Sequence, residues 1–256
     1  MRWNIKRPYD IWRESRIYNL LFGIKRYLIG KMIGILFEFR RWLPPIRDYA
    51  LLNGKKTAVV HMEYKKLRPF DRLLRDYAPS INPDEKNANI DVIKKHVQEK
   101  DSVVVIGGGY GLSATFAAEE VGPKGKVTIY EGDSNSIESV KKTLEMNNVT
   151  ERCEVIHAIV ADEYRLIGEG EGGHAVPPSE IKECDVLEMD CEGAEINIIK
   201  ELKIRPRVLI IEQHHHKDYA PYSSPDIIPN ILDDYGYNVK VKNARAADQI
   251  IVATQK

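Results

Sequence analysis

The chain has 256 residues, 43% hydrophobic and 30% charged, with 38 Lys and Arg set against 38 Asp and Glu. That length and balance fit one α/β domain of roughly 200 residues plus an extension, and exclude a disordered or fibrous chain. Its three cysteines, Cys153, Cys184 and Cys191, are odd in number and lack Cys-x-x-Cys spacing, which argues against a disulfide framework or a zinc site and suits a reducing cytoplasm.

The zero net charge hides an asymmetry. Residues 1 to 48 hold 11 Lys or Arg against 4 Asp or Glu, so the rest of the chain carries the compensating excess of acid. Within the basic end, Ile17, Leu20, Leu21, Ile24, Leu28, Met32, Ile35 and Phe39 recur at helical spacing. Lys25, Arg26 and Lys31 interrupt the pattern, so no apolar run approaches the roughly 20 residues of a membrane span, and the internal charges exclude a signal peptide. The spacing predicts an amphipathic helix from Ile17 to Arg41, ended by Pro44-Pro45. Three uses of it stay open: a lid over its own domain, self-association through Gly30-x-x-x-Gly34, or attachment to anionic lipid through the basic residues and Trp3, Trp12 and Trp42. Residues 1–54 are read as a basic amphipathic helical extension, residues 55–256 as the folded domain, and the expected location is cytoplasmic or peripheral at a membrane.

Further along, Lys55 to Tyr64 alternates weakly like a strand, Pro69 to Pro83 reads as irregular connection, and Ile90 to Glu99 as a short amphipathic helix. Val103-Val-Val-Ile106 then breaks into glycines at 107, 108, 109 and 111, the signature of a buried strand entering a nucleotide-binding turn. A dinucleotide fingerprint requires a third glycine where Leu112 stands; read as Gly107-x-Gly109-x-Gly111, the spacing matches the first motif of S-adenosylmethionine (SAM) methyltransferases. Lys126 to Glu131 alternates and ends in a carboxylate about 20 residues after the glycines, where an acid can accept hydrogen bonds from ribose hydroxyls. With the helix from Ser134 to Asn147, this order makes a βαβ unit.

Cys153 to Val160 reads as a third strand, and Gly168 to Ser179 as a long glycine and proline loop expected to border an acceptor site. The fourth strand, from Cys184, ends in Asp190 with Glu192 and Glu195 just beyond. Open α/β sheets bind ligands at the carboxyl ends of their strands, so Gly107, Glu131 and Asp190 are expected on one rim. Arg207 to Glu212 is the fifth strand, and Tyr237 to Lys242 with Gln249 to Thr254 suits a closing antiparallel hairpin.

With those blocks in place the chain resembles the FkbM family of SAM-dependent methyltransferases, over roughly residues 88 to 215. The most specific shared feature is the strand followed by Asp190-Cys-Glu192-Gly193-Ala-Glu195. The resemblance implies a class I methyltransferase fold, an α/β Rossmann-like sheet, mostly parallel with an antiparallel C-terminal hairpin. It also implies SAM as cofactor and methyl transfer to an oxygen of a small molecule or glycan. By the same resemblance Gly107, Gly109 and Gly111 hold the methionine end of the cofactor with Tyr110 among them, Glu131 the ribose, and Ala161 and Asp162 lie near the adenine, while Asp190 faces the reacting centre. The chain departs from the family at Val105, where an acid normally stands close to the cofactor's amino group; Asp190 or a backbone carbonyl is the candidate replacement.

Methyl transfer to a hydroxyl requires a base within hydrogen-bond reach, and Asp190, Glu192 and His214 are the candidates. The run His214-His215-His216 has three open readings: a solvated strand-end turn, a base, or a metal pair with Asp190 or Glu212. No metal spacing is specific, and no metal is expected. Two competing functions are a nucleic-acid methyltransferase, supported only by the basic N-terminal segment and opposed by the acidic domain, and a binding protein that has lost turnover, supported only by Val105. A nucleic-acid partner is not expected.

Overall fold

A computed structural model of the chain describes residues 49–58, 87–161, 172–191, 193–214, 224–243 and 248–256, together with Lys31. The expected helix at 17–41, apart from Lys31, the connection at 69–83 and the end of the first expected strand at 59–64 lie outside the described residues. Contacts divide the chain into two compact units, residues 1–46 with 66–78 and residues 47–65 with 79–256. The description below concerns the second. No helix among the described residues is long and apolar enough to cross a membrane.

This unit opens with an antiparallel pair, β1 (Tyr49–Leu52) and β2 (Lys55–Ala58). Asn53 and Gly54 join them at φ 49° and 79°, the left-handed backbone of a two-residue hairpin turn, for which Asn-Gly is the favoured dipeptide.

An eight-stranded sheet follows. Its strands are β3 (Ser102–Ile106), β4 (Lys126–Glu131), β5 (Cys153–Val160), β6 (His174–Val176), β7 (Val186–Met189), β8 (Val208–His214), β9 (Tyr237–Asn243) and β10 (Asp248–Gln255). They lie in the order β6-β5-β4-β3-β7-β8-β10-β9. All neighbours run parallel except β10, which pairs antiparallel with both β8 and β9. This is the α/β, mostly parallel sheet with an antiparallel C-terminal pair that the sequence implies.

Central strands buried on both faces read as continuous apolar runs, and β3 is buried from Val103 to Ile106. Alternate residues serve opposite layers. Val103, Val105, Ile129, Val186 and Ile210 pack with α1 (Asn87–His96), α2 (Leu112–Glu120) and α3 (Ser134–Met146). Val104, Ile106, Leu187, Met189 and Ile211 pack with α4 (Glu195–Glu201) and α5 (Ile227–Asp234) on the other side. β2 is tied to α3, Ala58 donating its N–H to the Thr143 hydroxyl at 2.8 Å and the Asn147 amide donating to the Lys56 carbonyl at 2.7 Å.

The expected loop from Gly168 to Ser179 differs from what forms. Its described part contains β6, parallel to β5 with His174 opposite Ala158, then a single 3-10 turn at Pro178–Glu180. Three residues are too few to show a period, and Pro177, which lacks an N–H, stops the strand at a sheet edge where none is needed.

Chain order places the turn at β3 where a ligand site belongs. From β3 the connections run outward through β4 and β5, and the chain returns to the opposite side of β3 at β7. The crevice beyond the carboxyl ends of β3 and β7 is therefore the topological switch point.

Candidate cofactor and active site

At the end of β3 the backbone turns through Gly107, Gly109 and Gly111, all at positive φ (92°, 51° and 81°). Gly107 touches β7: a Cβ built on it would lie 2.0 Å from the Asp190 carbonyl oxygen. Asp190 in turn donates its N–H to the Ile106 carbonyl at 3.0 Å, so the ends of β3 and β7 are laced together. Gly111 precedes α2 and supplies no side-chain cap, which leaves the first-turn N–H groups of that helix for an anion.

Glu131 ends β4 and reaches back under the turn. One carboxylate oxygen accepts the Gly109 N–H at 2.7 Å and the other accepts the Asp133 N–H at 2.9 Å. Burial raises its pKa above the ordinary carboxylate value, and those amide donors partly offset the rise. A carboxylate has about four acceptor positions, so two backbone donors leave capacity for ligand hydroxyls. Asp133 caps α3 by accepting from the N–H of Ser136 at 3.2 Å and its hydroxyl at 3.0 Å. The Gly172–Gly173 segment packs here, with Gly173 donating to the Gly132 carbonyl at 2.8 Å, and so borders the loop after Glu131. Ala161 follows β5 two strands from the glycine turn and donates to the Val176 carbonyl at 3.2 Å.

Asp190 is half-buried, and α4 starts at Glu195 after Ala194, with no side-chain cap from Asp190. Instead Glu195, 2% exposed, bends back so that one oxygen accepts the N–H groups of Cys191 at 3.0 Å and Gly193 at 3.2 Å. The last acid of the Asp-x-Glu-Gly-x-Glu motif therefore shapes the turn that carries the first. Burial, then the carboxylates of Glu195, Asp190, Glu188 and Glu131, push the Cys191 thiol well up, so it stays protonated, unlike a reactive thiolate.

The structure thus brings Gly107, Gly109, Gly111, Glu131 and Asp190 together. Tyr110 lies in the same turn. Glu192, Asp162, His215, His216 and the side chain of His214 lie outside the described residues, although the His214 backbone ends β8 on the same rim. Sequence reading missed two buried polar residues. Glu188 sits inside β7, 2% exposed. Asn89 of α1 is also 2% exposed; its amide nitrogen donates to Glu212 at 2.7 Å, and its side-chain oxygen accepts no hydrogen bond among the described residues. A run of apolar neighbours hides Glu188 in the sequence, and nothing local marks Asn89.

A glycine turn at the switch point and an acid ending the next strand, on a mostly parallel sheet with an antiparallel C-terminal pair, make up a class I methyltransferase fold. Over residues 174–239 the chain matches the family model of the methyltransferase FkbM domain. No curated protein matches the chain in sequence. Among solved structures it is similar to a SAM-dependent methyltransferase from Aquifex aeolicus, at 18% identity over 68% of this chain and 94% of that one, with a TM-score of 0.46. It is also similar to a SAM-dependent O-methyltransferase from Thermotoga maritima, at 16% identity over 73% and 70% with a TM-score of 0.45. A third is the fibrillarin pre-rRNA processing protein of Methanococcus jannaschii, at 15% identity over 68% and 76% with a TM-score of 0.49. The residues present fit SAM: the Gly107 cradle excludes any side chain, Glu131 has acceptor capacity, and the buried Asn89 oxygen accepts no hydrogen bond among the described residues.

Proposed function

We propose that the protein methylates a hydroxyl oxygen of a small molecule or glycan, with Asp190 as the base. The observation that carries this reading is the difference in burial at the rim. Asp190 is half-buried at the switch point, whereas Glu131, Glu188 and Glu195 are buried, and Glu131 and Glu195 each hold two backbone amides. An acceptor entering from solvent meets Asp190 first. Bound SAM supplies an electrophilic methyl group on a sulfonium.

The protein's part is alignment and one proton. Glu131 receives the ribose hydroxyls, and the glycine turn with the α2 N-terminus receives the methionine end. Asp190 orients the acceptor hydroxyl in line with the methyl group and takes its proton as the oxygen attacks. The acidity of the chain beyond residue 48 opposes a polyanionic acceptor, while the basic residues 1–48 keep RNA in the comparison.

The test is transfer of labelled methyl from SAM to a panel of sugar, lipid-linked sugar and phenol acceptors, with RNA in parallel. Label is expected as an alkali-stable ether on a hydroxyl acceptor. Asp190→Asn is expected to lower kcat by about 10²- to 10⁴-fold with S-adenosylhomocysteine affinity changed only severalfold. Label in RNA alone, or an Asp190→Asn enzyme with normal kcat, defeats the proposal.

A further inference from the structure

The cofactor's amino-acid arm ends in an ammonium group with three N–H donors, and in a site shielded from water those donors need acceptors. On β3 the residue two before the glycine turn is Val105, apolar and 1% exposed, which offers none.

The adjacent strand has what Val105 lacks. Val105 pairs in register with Glu188 of β7, and Glu188 pairs on its other side with Ile210 of β8. Residues in register on parallel strands project from the same face. Val105, Val186 and Ile210 all pack on the α1 side, so Glu188, two residues after Val186, stands on that side too, and two residues before Asp190. A carboxylate at 2% exposure between valine and isoleucine is costly, and an apolar side chain of similar size would serve packing better. Its Oε2 accepts no hydrogen bond among the described residues.

Asn89 supplies a second acceptor on the same face. It sits in the first turn of α1, whose Ile90 and Ile93 pack against Val105 and Ile210. Its amide orientation is dictated by Glu212, since only the nitrogen can donate to a carboxylate. The side-chain oxygen is thereby turned elsewhere, buried and without a donor among the described residues.

We propose that Glu188, assisted by the Asn89 oxygen, receives the cofactor's ammonium group, so that the acid absent from β3 is supplied by β7. The assignment rests on SAM being the cofactor, and the experiment separates the two. Calorimetry compares S-adenosylhomocysteine with 5′-methylthioadenosine, which lacks the amino-acid arm, on the full chain. In Glu188→Gln the homocysteine ligand is expected to weaken about 10- to 100-fold, the loss of a charge-assisted hydrogen bond, while methylthioadenosine binds as to wild type. Adding Val105→Asp to Glu188→Gln is expected to restore part of the homocysteine affinity without moving the other ligand. If Glu188→Gln does not fold, Asn89→Leu decides, with a roughly 3- to 10-fold loss for the homocysteine ligand alone. Equal losses for both ligands, or no loss for either, overturn the role of Glu188. A wild-type protein that binds neither ligand overturns the cofactor assignment and this one with it.

Discussion

Gly107 and Gly109 stand two residues apart in one turn, yet a methyl group on each meets different surroundings. At Gly107 it would strike the Asp190 carbonyl at 2.0 Å, and backbone cannot yield as a side-chain tip can; at Gly109 there is nothing within 4 Å. Gly107→Ala is expected to cost about 3 kcal/mol or more, overpacking added to left-handed strain, and to abolish S-adenosylhomocysteine binding because β3 and β7 must part. Gly109→Ala carries only the strain, about 1 to 2 kcal/mol, and keeps the fold. Urea denaturation of the two variants checks the order, and equal costs would refute it. The glycine spacing was legible in the sequence, but which glycine bears the contact was not, because Asp190 lies 83 positions away in the chain. Glu195 shows the same limit. Its place in the motif was visible, while its bond to the Cys191 and Gly193 amides depends on how the turn closes.

Between elements, Asp101 joins three of them. Its carboxylate accepts the Gln98 N–H at 2.8 Å just after α1 and pairs with Arg207 at 2.6 Å, ahead of β8, while Asp101 itself leads into β3. The Asp101 side chain is 10% exposed, so its loss leaves donors without partners in a poorly hydrated spot. Asp101→Asn is expected to lower the stability of unfolding by about 1 to 3 kcal/mol. By contrast Glu154→Gln, which breaks a pair with Lys126 whose side chains are 59% and 45% exposed, is expected to cost at most about 0.5 kcal/mol. Chemical denaturation midpoints with unchanged slopes would bear out that ranking, and a larger loss at Glu154 would sink it. Elements of strong pattern, β3, β4, β5, β8 and α3, were readable from apolar runs and helical spacing. The short β6 was not, since its pairing partner β5 rather than its own residues makes it a strand. The β1–β2 hairpin carried a local signal in Asn53-Gly54, which the expected start of the first strand at Lys55 cut in two.

For the molecule as a whole, the role proposed for Glu131 at the ribose links folding to ligand binding through pH. Burial raises its pKa in the folded protein, so the folded state holds this proton to higher pH than the unfolded chain does. The stability it contributes is fully present below the unfolded value and is lost as pH rises through the folded value. Ribose hydroxyls need the opposite, an ionised acceptor, so S-adenosylhomocysteine affinity is expected to weaken as pH falls through that raised value. The thermal shift given by the ligand is expected to grow as pH rises above the ordinary carboxylate range, and Glu131→Gln to bind weakly with little pH dependence. Calorimetry and melting curves across that rise provide the check, and an affinity independent of pH in wild type would refute the link. By itself, the sequence determined the α/β class, the glycine turn, the acids at the strand ends and the resemblance to FkbM methyltransferases, because each is written in residues that are neighbours along the chain. Only the tertiary structure decided that β10 inserts between β8 and β9, that Gly107 abuts Asp190, and that Glu188 stands beside Val105. Those facts arise from strand order and register, in which residues far apart in the chain become neighbours through backbone pairing that no local pattern encodes.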